Sequence, residues 1–469
     1  MERIFIKETP DKIGEKVRVC GWVQTVRTHG KIMFFDLRDK TGIIQVVIIP
    51  NKDFFAKAKE IRSEWVVALE GTINQRPQNM VNDKIETGKI EMLAEGLEVF
   101  SSAKTLPFPI DGDGYEISED NRLKYRYLDL RRTRLQKNLV MRHKVFNFIR
   151  NFFTNEGFVE VETPILTRST PEGARDFLVP SRLQAGNFYA LPQSPQQFKQ
   201  LLMVAGLERY FQLPICFRDE DTRGNRQPEF TQLDFEMSFV EREDVMAINE
   251  KLLVALVKAV YPKKIIQEIP FPRLTYAEAM GKYQSDKPDL RKDKNNPDLL
   301  AFCWVIDFPF FEKTEEGGWT FTHNPFSAPA PEFRDDLLEK RNIPNIIAAQ
   351  YDIALNGFEV GGGSIRNHQA DALEAVFEIM GFSKQRIQEN FGHMLEAFKY
   401  GAPPHGGTAW GMERLMMILE NEPNIREVMA FPKTGDGRDL MLDCPAVIEE
   451  ARLKELHIKI EVLKEPDKN

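Results

Sequence analysis

Arginines and carboxylates recur on strand-like segments of this 469-residue chain. Arg218, Glu220, Arg223 and Arg226 stand beside Asp219, Asp221, Asp234 and Glu236 within Phe217–Phe239. Farther along come Asp352 and Glu359, then Arg366, then Glu413 followed by Arg414. Arginine forks pair bidentately with phosphate or carboxylate oxygens. Two carboxylates can hold magnesium that is itself bound to nucleotide phosphates. The set therefore suits a magnesium–nucleotide site built without a phosphate loop. Taken singly, each residue is an ordinary salt-bridge partner, and Phe217–Phe239 alone reads equally as a solvated surface hairpin. Neither common phosphate cradle occurs: there is no Walker loop and no strand-linked G-x-G-x-x-G. Gly361-Gly362-Gly363 fits a cradle or a close backbone approach. No Ser/His/Asp order stands out.

The elements that must hold these groups are legible in part. Leu233, Phe235, Met237 and Phe239 alternate at period two, which predicts a strand with one buried face. Thr222–Arg226 predicts the turn before it. From Ile4 to Phe100 the chain reads as five strands, Val17–Trp22, Ile32–Leu37, Ile43–Ile49, Trp65–Ile73 and Ile90–Val99, with a short helix at Phe54–Arg62 after the third. That is the order of an OB-fold barrel, a fold that often stacks unpaired bases on aromatic side chains. A ligand-free structural barrel fits the same pattern. Thr105–Pro109 reads as a linker, and the hinge region is expected to span 105–140, between a first domain at 1–104 and a second at 141–469.

Arg122–Arg150 carries ten Lys or Arg against the single acid Asp129. A solvated helix face and a tract beside a nucleic-acid backbone both fit. Its second half is helical in pattern, with Val140, Val145, Phe148 and Ile149 as apolar positions. Beyond Gly157, strands (Phe158–Glu162, Tyr210–Phe217, Phe302–Phe308, Tyr351–Val360) alternate with helices (Phe198–Ala205, Glu243–Val260, Leu373–Met380, Phe391–Tyr400, Ala409–Leu419).

Hydrophobic content of 42% and charged content of 29% describe a soluble globular protein, and the length calls for two or three domains. A net charge of −8 gives no overall basic footprint but leaves room for a local basic face. Cys20, Cys216, Cys303 and Cys444 lack metal-ligand spacing, so no zinc site is expected. With neither a signal peptide at Met1-Glu2-Arg3 nor a membrane-length apolar run, a reducing cytoplasm is expected.

Three segments resemble the signature motifs of class II aminoacyl-tRNA synthetases: Gly157–Pro164 (GFVEVETP), Phe217–Phe239, and Gly411–Leu415 (GMERL). TPEGARDF at 170–177, LPQSPQQFKQLL at 191–202, QPEFTQL at 227–233 and FEVGGGSI at 358–365 are similar to the bacterial-type aspartyl-tRNA synthetase family over nearly the whole chain. The resemblance implies an α+β protein: an N-terminal OB-fold anticodon barrel followed by an antiparallel class II sheet flanked by helices, dimerising through the first motif. It implies ATP, L-aspartate, tRNA and Mg2+ as partners, and no membrane.

Residue by residue, the resemblance places Arg218 on the α-phosphate and the amino-acid carboxylate. Phe230 and Arg414 would sandwich adenine, with Gln227 on the nucleotide and Asp219, Glu220, Gly411, Met412 and Glu413 around it. Asp352 and Glu359 would hold magnesium. Glu172 and Gln196 would hold the substrate ammonium. Lys199 and Arg366 would bind its side-chain carboxylate, with Asp234 and Glu236 setting the charge, and His323 would close over it. In the barrel, Arg27, Phe34 and Gln45 match anticodon-reading positions, although a core role for Phe34 stays open. Two departures matter. Only the polar run Lys292–Leu300 stands where bacterial-type relatives carry an extra domain. His29 resembles relaxed enzymes that charge both tRNA-Asp and tRNA-Asn, while Asn79, at the other position tied to that choice, matches neither type.

Overall fold

The computed structural model describes residues 1–169 and 173–461. They fall into two compact units, Met1–Pro109 and Ile110–Asn469.

The first unit is a closed barrel of β1 (Lys16–His29), β2 (Ile32–Asp39), β3 (Gly42–Ile48), β4 (Val66–Gln75) and β5 (Ile90–Ser101), in the order β1-β2-β3-β5-β4. Helix α1 (Phe55–Ala58) lies between β3 and β4 in the chain, as an OB-fold requires. Alternate residues point inward: Val17, Val19 and Val23 from β1, Met33, Phe35 and Leu37 from β2, and Ile44, Val46 and Ile48 from β3 fill the interior. Each such side chain contributes roughly 1.5–3 kcal/mol by leaving water. Closure removes the sheet edges that would otherwise invite pairing.

The second unit is built on a nine-stranded sheet. Its strands are β6 (Val159–Glu160), β7 (Arg209–Gln212), β8 (Ile215–Phe217), β9 (Glu229–Ser238), β10 (Arg273–Thr275), β11 (Phe302–Ile306), β12 (Gln350–Leu355), β13 (Phe358–Ile365) and β14 (His405–Gly411). The order is β10-β11-β12-β13-β14-β9-β7-β6, with β8 paired to β9. The pairings are antiparallel except at the two ends, where β10/β11 and β6/β7 are parallel, so the expected antiparallel sheet is a mixed one. Helices α2 (Thr133–Asn155), α4 (Arg242–Val260) and α5 (Met412–Leu419) pack on one face; α3 (Gln196–Val204) precedes β7 in the chain. Val145, Ile149, Phe153, Leu252, Leu256 and Leu415 meet Leu233, Phe235 and Trp304 in one core.

Four local expectations change. Strand β9 is buried on both faces: Leu233, Phe235 and Met237 enter the core, and Gln232, Asp234 and Glu236 are buried opposite them, while Phe239 is 67% exposed past the strand's end. Pro214, which has no N–H, interrupts the predicted strand Tyr210–Phe217 and leaves β7 and β8. Tyr351–Val360 is a hairpin, turning at Asn356-Gly357 with φ of 52° and 88°. Gly406–Ala409 is strand, and the helix expected from Ala409 starts only at Met412.

Residues 110–140, expected as part of a hinge, belong to the second unit. The basic tract there is neither solvated nor available to a nucleic-acid backbone at its core. Arg122, Arg126 and Arg132 are buried and converge on the fully buried Asp129 at 3.0, 2.8 and 2.7 Å. Arg122 also pairs with Glu427 at 2.7 Å. Of the helix positions expected to be apolar contacts, Val145 and Ile149 are buried, but Val140 is 53% exposed.

Candidate active site and polar face of the barrel

The second unit carries a cleft of about 400 Å3 lined from β9, β12, β13, β14 and the loops after β8 and β13. Most of the chemically interesting residues meet there: Gln196, Lys199, Arg218, Glu220, Gln227, Phe230, Asp234, His323, Asp352, Glu359, Arg366, Gly411, Glu413 and Arg414.

Its floor is a buried charge quartet. Lys199, on α3, donates to Asp234 Oδ1 at 2.7 Å and lies 3.2 Å from Glu236 Oε2. Arg366, just past β13, donates from Nε and Nη2 to the two Glu236 oxygens at 2.8 and 3.1 Å. Its Nη1 reaches Ser364 Oγ at 2.8 Å and Nη2 also reaches the Gly407 carbonyl at 3.2 Å. All four side chains are at most 2% exposed. Burial alone would raise the Glu236 carboxyl, but Arg366 and Lys199 outweigh it and hold it at about 2. Burial raises Asp234 in spite of Lys199, and its Oδ2 has no partner among the described residues.

The glycines are needed for this packing. A Cβ at Gly407 would come within 2.3 Å of Glu236 Oε2, and one at Gly362 within 2.5 Å of Asp352 Oδ1. Contacts that short do not occur, so Gly361–Gly363 serves close approach inside the sheet and not a phosphate loop.

Asp352 on β12 and Glu359 on β13 form the acidic wall. Asp352 accepts from Gln350 Nε2 at 3.2 Å. Burial and then the nearby Glu359 charge raise its carboxyl well above the usual range. Two hard oxygen donors that destabilise each other's charge fit a divalent cation. Among the described residues no group of three or more His, Cys, Asp or Glu forms a ready metal cage. Any such ion needs oxygen ligands from outside the protein. His323 sits over this wall, with Nδ1 4.0 Å from Asp352 Oδ2 and its ring edge-on to Phe308; burial lowers its pKa.

At the other end, the Arg218 guanidinium lies 5.2 Å from the Phe230 ring centre. Arg414 donates to the Glu359 carbonyl, and its buried Nε has no partner among the described residues. Three expected nucleotide contacts are otherwise engaged. Glu413 accepts from Arg142 at 2.7 Å and from the Thr231 amide at 3.0 Å. Gln227 holds both backbone groups of Lys433, at 2.8 and 3.2 Å. Met412 is a core side chain, and Asp219 is exposed; neither lines the cleft. Glu172 lies outside the described residues. Sequence reading missed Gln350, Ser364 and Ser327; the last two join at 2.9 Å behind Arg366, and only the sheet register reveals them.

On the barrel, Phe34 alternates with the buried Met33 and Phe35, so it stands on the outer face and not in the core. Register sets Arg27 opposite Phe34 and Gln45 opposite Asp36. Arg27 donates to Asp36 at 2.7 Å and to Gln45 at 3.3 Å, and Gln45 donates to Glu91 at 2.9 Å. Arg76, 3.9 Å from Glu91, completes the cluster. Neither Arg76 nor Glu91 was singled out from sequence. His29 ends β1 and is exposed, as is Asn79 in the turn Gln78–Met80.

Comparison with known proteins agrees with this architecture. Residues 118–435 match the model for tRNA synthetases class II (D, K and N), and residues 17–100 match the OB-fold nucleic acid binding domain. An aspartate–tRNA(Asp/Asn) ligase of Thermodesulfovibrio yellowstonii is 40% identical, with 96% of this chain and 98% of that protein covered. One of Caldanaerobacter subterraneus is 41% identical, with 96% of each covered. The first alignment runs over 585 positions against 469 residues here, so that relative carries residues with no counterpart in this chain. Among solved structures, asparaginyl-tRNA synthetase from Pyrococcus horikoshii complexed with asparaginyl-adenylate superimposes with a TM-score of 0.74 at 25% identity, covering 92% of this chain and 98% of that one. An aspartyl-tRNA synthetase from Entamoeba histolytica shares the fold, with a TM-score of 0.72 at 22% identity over 92% and 91% of the chains. A mixed, mainly antiparallel sheet around a cleft of paired charges, with a separate OB barrel, defines a class II synthetase. The chain belongs to the class II tRNA synthetases of the D, K and N group.

Proposed function

We propose that this chain activates L-aspartate with ATP and transfers the aspartyl group to tRNA-Asp and also to tRNA-Asn. The quartet on the cleft floor carries the reading. Among the described residues Lys199 donates one hydrogen bond, to Asp234, with Glu236 3.2 Å from its ammonium, and Arg366 engages four of its five guanidinium hydrogens on Glu236, Ser364 and Gly407. A donor from each remains for a substrate carboxylate. An amide in that place would set its own N–H groups against a donor, and sites of this kind reject the mismatched analogue by roughly 10⁴-fold or more. Asparagine is disfavoured on this ground, and a lysine ammonium would face the like charges of Lys199 and Arg366.

In the first step an α-carboxylate oxygen of aspartate attacks the α-phosphorus of ATP in line, the bond to the β-phosphate oxygen breaks, and pyrophosphate leaves. Such chemistry needs positioning and charge neutralisation more than a protein base. Arg218 would bridge the α-phosphate and the attacking carboxylate, Phe230 and Arg414 would sandwich adenine, and Glu172 and Gln196 would hold the ammonium end, with Asp234 and Glu236 setting the charge. Asp352 and Glu359 would hold Mg2+, which when bound neutralises phosphate charge. In the second step a ribose hydroxyl of the terminal tRNA adenosine takes the acyl group and AMP leaves.

The outward Phe34, with Arg27 and Gln45 beside it, supports anticodon reading by the barrel. The exposed His29 and the double specificity in the names of similar proteins support the wider choice of tRNA. Exposed Val159, Ile165 and Leu166 support a homodimer through that segment. No helix among the described residues is long and apolar enough to cross a membrane, and a cytoplasmic site of action is part of the proposal.

ATP–pyrophosphate exchange run separately with aspartate, asparagine and lysine tests the first step; exchange with asparagine or lysine as efficient as with aspartate would overturn it. Charging both tRNAs tests the second, and failure on tRNA-Asn would restrict the enzyme to tRNA-Asp.

A further inference from the structure

His405 opens β14 and is completely buried. Its side chain does not line the cleft, yet both cation carriers of the floor rest on it. Its carbonyl accepts from the Arg366 backbone N–H at 2.9 Å. Its Nδ1 lies 2.7 Å from the Pro403 carbonyl, which can only accept, so Nδ1 carries the hydrogen. Nε2, 3.3 Å from the Gln200 amide, is then an acceptor. As placed, the Gln200 oxygen faces Nε2, and Gln200 Nε2 has no partner among the described residues. Reversing that amide lets its N–H donate to the ring; amide orientation is assigned from the hydrogen-bond network in any case. Gln200 is itself fully buried and follows Lys199 on α3.

We infer that His405 is a positioning residue: its ring fixes Gln200, and with it the turn of α3 that carries Lys199, while its carbonyl fixes Arg366. The imidazole thereby ties the turn of α3 that carries Lys199 to the strand residue whose carbonyl holds Arg366. The neutral ring this requires is consistent with burial lowering His405 to about 4, with Glu236, Arg366 and His368 the charged or titratable groups around it. No other connection of this kind runs between α3 and Arg366 among the described hydrogen bonds except through Glu236, which is part of the quartet itself.

The inference rests on the assignment of Lys199 and Arg366 to the amino-acid side chain. Its test is the KM for the amino acid against the KM for ATP in pyrophosphate exchange. His405→Leu is expected to raise the amino-acid KM about tenfold, the scale of one lost hydrogen bond, with the ATP KM within twofold of wild type. His405→Gln, whose amide reaches as far as Nε2, should recover most of that loss. Gln200→Met should reproduce the effect of His405→Leu, and combining the two substitutions should add nothing further. If His405→Leu does not fold, Gln200→Met against the single variant His405→Gln carries the comparison: the first should raise the amino-acid KM about tenfold and the second should stay near wild type. Equal shifts in both KM values, no shift at all, or no recovery by His405→Gln would overturn the inference. Wild-type exchange is run alongside with aspartate, asparagine and lysine. A wild type that prefers another amino acid refutes the aspartate assignment, and the KM comparison is then made with that amino acid and decides the role of His405 separately.

Discussion

The cleft floor and the outer face of the barrel are both clusters of arginine, acid and amide, yet they differ in burial. Lys199, Asp234, Glu236 and Arg366 are sealed from water, and each charge has a fixed counter-charge. Arg27 is exposed, and Phe34, Asp36 and Gln45 are half-buried. Sealed charges interact through a low effective dielectric, where a misplaced charge costs several kcal/mol and selection is sharp. Half-exposed groups compete with water and salt, so each contributes little, and selection comes from several contacts added together. On the proposed reading, the first region would choose among small molecules that differ by a single group, and the second would grip a large partner at many points.

Substitutions should separate the two regimes. Lys199→Leu leaves Asp234 and Glu236 buried with one cation fewer. Aspartate activation should fall by roughly 10⁴-fold or more, and stability by roughly 3–5 kcal/mol, with unfolding still cooperative; near-normal pyrophosphate exchange would end the assignment. Arg218→Gln removes a half-buried cation that packs on Phe230. The exchange kcat should drop by roughly 10²–10³-fold while the melting temperature stays near that of wild type. Phe34→Ala should raise the tRNA KM by an amount corresponding to roughly 1–3 kcal/mol of stacking and spare exchange entirely. An unchanged tRNA KM would make the outer face of the barrel a structural surface.

The smallest effect is on acid stability. His405 has a folded pKa near 4 and an unfolded one near 6.5. Between those values the unfolded chain binds the proton and the folded one does not. This contribution is therefore complete above about pH 6.5 and is lost as the pH falls towards 4. At pH 5 the loss amounts to about 2 kcal/mol relative to pH 7. Burial lowers His368 and His393 as well, whereas the only histidine of the barrel, His29, is exposed. Denaturant melts of wild type and His405→Gln at pH 7 and pH 5 should differ by that component. An identical pH response would show that His405 titrates normally.

Much of this was legible in the chain. The barrel strands alternate cleanly because one face is wet, and all five were found within a few residues of most of their observed ends. The catalytic strands were harder because burial on both faces erases alternation: Asp234 and Glu236 look polar and exposed in sequence, and only the sheet places them under Lys199 and Arg366. The Asn356-Gly357 turn carried a hairpin signal that the apolar run around it obscured. Gly406–Thr408 reads as a breaker before a helix that starts at Ala409, but here glycine permits strand approach. Gln200 and His405 show no sequence signal at all, since their relation exists only across β14 and α3. The arginine tract misled for the opposite reason: its counter-charge Glu427 lies 305 residues away from Arg122.

That distance has a consequence for how the molecule is made. The barrel closes from pairings within its first hundred or so residues, so it can fold while the rest is still being synthesised. In the second unit Arg122 can meet Asp129 at once, but its bidentate partner Glu427 follows 305 residues later, which at 5–20 residues per second is a wait of roughly 15–60 s. A chain cut short before Glu427 would carry Arg122 and Arg134 without the carboxylate they share, so the second unit needs its carboxy-terminal region to balance the charges of its first helices.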